Sequence, residues 1–404
     1  MEAVVSEVLE SRARRRWPAW VVAVSQAAWA AVKLAVGILL TMSPVGAVVV
    51  VGWLSRFMQR TAFKVWWNHT ERPYKKLMTF REAAAHRPGW AEHESWPNWV
   101  LGVRRRAAGG AGGAGLLKRV FSRLGGGLWD NLRLGAALLV NTYLVLGLPC
   151  LLMATWWYAG WQVSFNKAYE YFSLGALFSL LGVLLFVAGM FYVPMAQARQ
   201  AVAGEWRAFW QFSLVRRVIR RRWFGCLLLA AGYALAGLWV LLVLAFPMAP
   251  QVQDWFGTVP PEKLDATIRG YYLIGAAGVF PLLVALRWAA ARLYASGMAQ
   301  MLAVGQVRPE ELSPSERHAF PAELINGPAA AAEWSRRDAV LSWMVSAPFR
   351  LTCGTLAALT WFAFVTEIYV AQFFVYRGPR VWLSHPLVQL PWTDYTPSSR
   401  AEPK

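Results

Sequence analysis

Charge along this 404-residue chain is confined to short blocks, and long stretches between them carry none. Residues 214–247, LVRRVIRRRWFGCLLLAAGYALAGLWVLLVLAFP, set five arginines within seven positions directly against more than twenty uncharged residues. A run of about 20 apolar residues is the length at which a helix crosses the hydrocarbon core with every backbone donor and acceptor satisfied internally. Phe224–Met248 meets it, and so do Leu134–Tyr158, Phe172–Met195, Arg269–Leu286 and Leu351–Phe374. Buried helices of soluble proteins seldom run half as far without a charge, so five membrane spans are expected.

The apolar stretch Trp17–Leu54 is 38 residues long and raises a separate question. Basic residues flank both ends, so the segment is expected to enter and return as a hairpin or re-entrant element. The bend falls at Thr41–Gly46, where Pro44 lacks the donor a helix interior needs and Gly46 is permissive. The alternative is an interfacial helix to Lys33 followed by one span. Toward the other end, Ala339–Phe349 reads as an interfacial helix broken at Pro348 and Arg350 before the last span. The expected fold is all-α: a polytopic transmembrane helix bundle with five spans plus the N-terminal hairpin.

Composition agrees with this reading, at 57% hydrophobic residues and 16% charged with a positive mean hydropathy. That balance lies outside the soluble norm. Orientation comes from the cations, which accumulate in short cytoplasmic loops. Residues 1–16, 55–133, 196–223 and 287–339 together hold 32 of the 41 Lys and Arg, whereas 159–171 and 249–268 hold Lys167, Lys263 and Arg-free acidic company in Asp254, Glu262 and Asp265. The first four segments are expected in the cytoplasm of a bacterium, and the span ends opposite them in the periplasm. A secretory signal does not fit, because Met1–Glu10 is acidic and the following apolar region is too long.

The chain then divides into a basic N-terminus and hairpin (1–54), a basic cytoplasmic loop with Gly-rich linkers (55–133), a five-span membrane domain (134–375) and a periplasmic tail (376–404). Within the loop, residues 107–115 and 125–127 are read as linkers around a short basic helix, Leu116–Leu124. The later stretch 306–338 contains prolines and is expected to form only ordered turns. An internal echo links MetAlaGlnAlaArgGlnAlaValAlaGly from Met195 to MetAlaGlnMetLeuAlaValGly from Met298, each where a span emerges on the basic side.

The net charge of +19 invites a nucleic-acid reading, but the basic residues abut spans and are interleaved by Trp206, Trp210 and Trp223, as interfacial helices require. Arg216, Arg217, Arg220, Arg221 and Arg222 are therefore a topological anchor and a contact for anionic lipid headgroups or for a protein partner, each near-surface charge contributing about 1 kcal/mol. The expected partners are membrane lipids and protein subunits, not nucleic acid.

Candidate chemistry is sparse. Cys150, Cys226 and Cys353 stand singly in apolar spans, and His69, His86, His93, His318 and His385 lie outside them, so neither a disulfide framework nor a haem is indicated. Glu82, His86, Glu92, His93 and Glu94 cluster, but a Pro88–Gly89 break interrupts them and no HisGluXXHis spacing occurs. No Walker loop, nucleophile elbow or dinucleotide fingerprint is present. No cofactor, metal or catalytic residue is expected. The intramembrane ionisable groups are Glu367 and Lys33; Asn141 and Tyr143 can bond a neighbouring helix. Trp53, Trp66, Trp67 and Trp223 are expected in an interfacial belt on the basic side, and Trp156, Trp157 and Trp161 on the other.

Phe191–Arg220 ends a span in a ProXXXAlaArg stretch, Pro194 to Arg199, then makes a small-residue turn at Gly204 and a basic amphipathic helix. This segment resembles uncharacterised bacterial polytopic inner-membrane proteins that share a domain of unknown function. The resemblance implies an integral membrane protein and carries no activity. The expectation for function is accordingly a non-catalytic accessory or scaffold subunit, with a transporter of a lipid-like or apolar small molecule as the alternative.

Overall fold

The computed structural model describes residues 18–68, 116–165, 173–319, 336–374 and 385–393. These residues form helices and turns and contain no strand. In chain order the helices are α1 (Ala19–Thr41), α2 (Pro44–Asn68), α3 (Leu116–Phe165), α4 (Ser173–Ala203), α5 (Phe212–Arg221), α6 (Trp223–Ala245), α7 (Pro250–Thr258), α8 (Pro261–Ala303), α9 (Pro314–Ala319) and α10 (Arg336–Phe374). Among them six are long and apolar enough to cross a membrane: α1, α3, α4, α6, α8 and α10. The protein is a multi-pass helical membrane bundle.

The N-terminal stretch is a hairpin of two full-length helices. Ser43 caps the second: its Oγ accepts from the Gly46 N–H at 3.1 Å, while Pro44, with no N–H to leave unmatched, occupies the first helical position. At 23 residues, α1 is about 35 Å long, which is long enough to cross the hydrocarbon core.

α2 is the surprise. It does not qualify as a span by apolarity, yet it is the most enclosed helix, packed against α3, α4, α8 and α1, with Val50, Met58, Ala62 and Trp66 at 0% exposure. Trp53, Trp66 and Trp67 are thus core residues and not an interfacial belt. Trp53 stacks on Phe280, and the Trp66 Nε1–H donates to the Ala295 carbonyl at 2.8 Å. Protein atoms, not lipid, surround α2, so it tolerates Ser55, Gln59 and Thr61 among its buried residues. Its approach to α3 is set by small residues: a Cβ on Gly52 would overlap the Asn131 carbonyl, and one on Gly135 the Val48 carbonyl. Such backbone contact is how membrane helices associate without a hydrophobic drive between them.

Two further expectations are corrected. Gly125–Gly127 lies inside α3, which runs unbroken from Leu116, so the basic segment there is the start of a spanning helix and not a separate one. α10 likewise continues through Pro348; the missing N–H frees the Met344 carbonyl, a cost that membrane helices tolerate where neighbouring groups or local backbone adjustment re-satisfy it. The 107–115 linker and the Glu82–Glu94 cluster fall outside the described residues.

The basic segments meet at one end. The Gln59 side chain donates to the Val202 carbonyl, Arg56 lies 3.7 Å from Asp130, and Arg217 donates to the Gln306 carbonyl. The echo has a structural counterpart there. Gly204 and Gly305, the final residues of the two matching stretches, are the described glycines with positive φ, at 75° and 67°. Each ends a long helix in a left-handed cap, followed by a 3₁₀ turn and a short α-helix.

From the opposite end, residues 385–393 return into the bundle. Leu387 and Val388 join the main core, the Gln389 amide donates to Cys150 Sγ at 3.6 Å, and the Thr393 N–H donates to the Thr41 carbonyl at 3.1 Å. The expected periplasmic tail therefore includes a segment packed into the core. Irregular backbone is tolerated at such depth because protein lines it.

Candidate functional site: a buried latch and a basic-edged groove

Where α4 ends, its Arg199 is enclosed to 1% exposure and faces Glu316 of α9 at 0%. The pair forms a direct ion pair. Tyr294 of α8 sits between them, accepting from Arg199 Nη1 at 3.1 Å and donating to Glu316 Oε1 at 2.9 Å. The remaining guanidinium donors go to Gln211 Oε1 at 2.8 Å and the Glu311 carbonyl at 3.1 Å. Glu316 Oε2 accepts from the N–H and the hydroxyl of Ser313, and Ser313 Oγ in turn accepts from the Glu316 N–H at 3.3 Å. Both buried charges are therefore paired and fully hydrogen-bonded, the condition under which such a pair is tolerated.

α9 exists because SerProSerGlu, residues 313–316, is a capping box with Pro at the first helical position. Instead of mere turns, this stretch supplies the carboxylate that neutralises Arg199. Ser315 completes the latch: its hydroxyl contacts the Val202 and Ala203 carbonyls at 3.1 Å, two of the groups a helix end leaves unmatched. A second node lies alongside. The Asn141 amide donates to Gln200 Oε1 and to the Trp206 carbonyl while its oxygen accepts from Trp210, so Asn141 does bond across helices.

The predicted arginines lie beside this latch on α5. Leu214, Val215, Val218 and Ile219 are buried against the bundle, and Arg216, Arg220 and Arg221 are exposed. Arg217 turns inward to pair with Glu311 at 2.6 Å. Burial alone raises the Glu311 carboxyl, but the Arg308 backbone N–H and the Arg217 guanidinium outweigh it and hold the group below its ordinary range. Arg222, half-buried at the entrance to α6, is held below its ordinary value by burial and by the Arg221 cation.

Between α5, α6, α4 and α10 runs a lateral groove of about 1340 Å³. Its walls are apolar, including Phe191, Ile219, Trp223 and Leu351, and its two charged lining residues are Arg216 and Arg350. Both arginines are exposed.

The other predicted groups lie elsewhere. Glu367 is half-buried on α10, its carboxylate beside Gly237 of α6, and Lys33 is half-buried on the loosely packed α1; neither joins the latch. Arg287, expected on the basic side, is 3% exposed within the span of α8. Its Nη2 donates to the Val388 carbonyl at 3.4 Å, and no described carboxylate pairs with it. Among the described residues no three His, Cys, Asp or Glu side chains converge as metal ligands would. The three cysteines are buried and free.

The chain matches no protein-family model, no curated protein and no solved structure. Within Phe191–Arg220, Arg199 has a physical role: it is the cation of the latch.

Proposed function

We propose that the chain is a multi-pass protein of the bacterial inner membrane that acts without catalysis, as an accessory or scaffold subunit. Its basic end faces the cytoplasm. The observation that carries this reading is α5, an amphipathic helix whose apolar face is committed to the bundle while Arg216, Arg220 and Arg221 project from it. Cations presented in this way suit acidic headgroups of the inner leaflet or the acidic surface of a partner subunit. The latch supports it as well, because it makes the basic end rigid: α4, α8 and α9 are tied by one buried ion pair.

The groove favours a second reading, a carrier of a lipid-like or apolar molecule, since its volume and apolar walls suit such cargo. Extraction in mild detergent separates the two. A stoichiometric protein partner that co-purifies reproducibly supports the accessory role; a solitary monomer holding lipid favours the carrier. Reporter fusions after Gly160 and after Arg222 test the orientation, and must report opposite compartments.

A further inference from the structure

We infer that the groove between α5, α6 and α10 is a binding site for one anionic glycerophospholipid, its phosphate held between Arg216 and Arg350 and its acyl chains lying along α10. The inference rests on the orientation proposed above and not on the accessory role.

Size is the first argument. At about 1340 Å³ the groove exceeds the roughly 300–1,000 Å³ of small-molecule sites, so a lipid fits it better than a compact metabolite. Shape is the second. Ala347, Leu351, Gly354 and Ala358 line it and recur at helical spacing on one face of α10. Three of the four are small, so the wall stays low and the groove opens sideways to lipid.

Charge and depth complete the case. Arg350 stands four residues inside the span Ser346–Ala371, and Arg216 stands on α5 just before α6 begins. Both therefore lie near headgroup level, while Ala358 is eight residues, about 12 Å, deeper along the helix. Neither guanidinium has a hydrogen-bond or ion-pair partner among the described residues, in contrast to Arg199 and Arg217. Two forked donors on the wall of an otherwise apolar trough match a phosphodiester. A zwitterionic headgroup brings an ammonium toward the same two cations and is disfavoured; a headgroup with net negative charge is not.

The test uses the full chain in mild detergent, with native mass spectrometry and titration by phosphatidylglycerol and by phosphatidylcholine of identical acyl chains. The expected result is one bound lipid and a preference of about 30-fold for phosphatidylglycerol, the ratio two near-surface cations supply. Arg216→Gln with Arg350→Gln reduces that preference to within about threefold. Gly354→Leu blocks the trough with both cations intact and lowers retention of either lipid at least tenfold; the fold should accept it, since a Cβ there meets only the Trp223 ring at 3.5 Å. Arg220→Gln with Arg221→Gln, on the same helix but outside the groove, leaves the single-lipid preference unchanged while weakening adhesion to acidic vesicles.

Equal binding of the two lipids overturns the inference. So does a preference that survives the paired arginine substitutions, retention that survives Gly354→Leu, or a protein adduct, of this chain or another, in place of the lipid mass. Failure of the α5 reading looks different: Arg220→Gln with Arg221→Gln then has no effect on vesicle adhesion, whatever the groove does.

Discussion

Glu316→Gln is the substitution that asks most of the structure. It preserves the shape of the side chain and removes the charge that compensates Arg199, which is itself 1% exposed. Arg199 keeps its contacts to Tyr294, Gln211 and the Glu311 carbonyl, while the amide NH2, which cannot accept, forfeits the hydrogen bond from Tyr294 or those from Ser313, so the loss is the ion pair together with one acceptor position. An uncompensated buried charge costs about 3–5 kcal/mol, against a total stability on the order of 5–15 kcal/mol. For a chain of this length roughly 2 °C of Tm corresponds to each kcal/mol, which predicts a fall of about 6–10 °C. Cys150, Cys226 and Cys353 are buried and free, so a thiol-reactive fluorophore reports unfolding of the detergent-solubilised chain without added labels. Replacing both partners, Arg199→Met with Glu316→Met, removes the desolvation cost together with the attraction, and should leave the protein more stable than either single replacement. A Tm within 2 °C of wild type for Glu316→Gln refutes the reasoning. So does a double variant whose loss equals the sum of the two singles, since coupled groups are not additive.

Other outcomes follow from single contacts. Gly52→Val places a side chain where the Asn131 carbonyl stands; the cost should exceed the 1–3 kcal/mol typical of overpacking, seen as loss of a monodisperse peak in size-exclusion chromatography. Trp66→Phe keeps the packing on α8 and removes the second donor to the Ala295 carbonyl, which retains its in-helix partner, a loss of about 0.5–1.5 kcal/mol by thermal denaturation. Glu311 has a folded value below its unfolded one, so its contribution is present at neutral pH and lost as pH falls through the folded value. Because the Arg217–Glu311 pair is about one-third exposed on each side, the effect should stay under about 1 kcal/mol, visible as faster intrinsic-rate-corrected hydrogen exchange in α5 as the pH is taken below the ordinary carboxylate range and mimicked at neutral pH by Glu311→Gln. Val388→Asp sets a carboxylate into the core at 2% exposure, and should destabilise the bundle unless the side chain reaches Arg287, an outcome that Arg287→Met distinguishes by abolishing any rescue.

How far the chain could be read before folding depends on how local each property is. Spanning a membrane is settled by hydropathy over about 20 consecutive residues, and each of the five expected spans coincides with a long helix, although Phe224–Met248 overruns the end of α6 at Ala245 and Phe172 lies outside the described residues; the hairpin bend is set by the local chemistry of Ser43 and Pro44. The capping box at Ser313–Glu316 was equally present in the letters; surrounding prolines made the stretch look like turns, and only the buried Arg199 shows why a helix is needed there. What no local window contains is the partner. α2 carries three cations between Arg56 and Lys64 and resembles a loop entrance, yet it becomes the centre of the bundle because Gly52, Gly135 and the faces of α4 and α8 close around it. Arg199, Arg216 and Arg287 are the same residue with the same intrinsic cost in apolar surroundings. One is sealed by Glu316, one is left at the edge of a groove, and one is held by the returning Val388 carbonyl, because burial is decided by surfaces far apart in the chain and adjacent only in three dimensions.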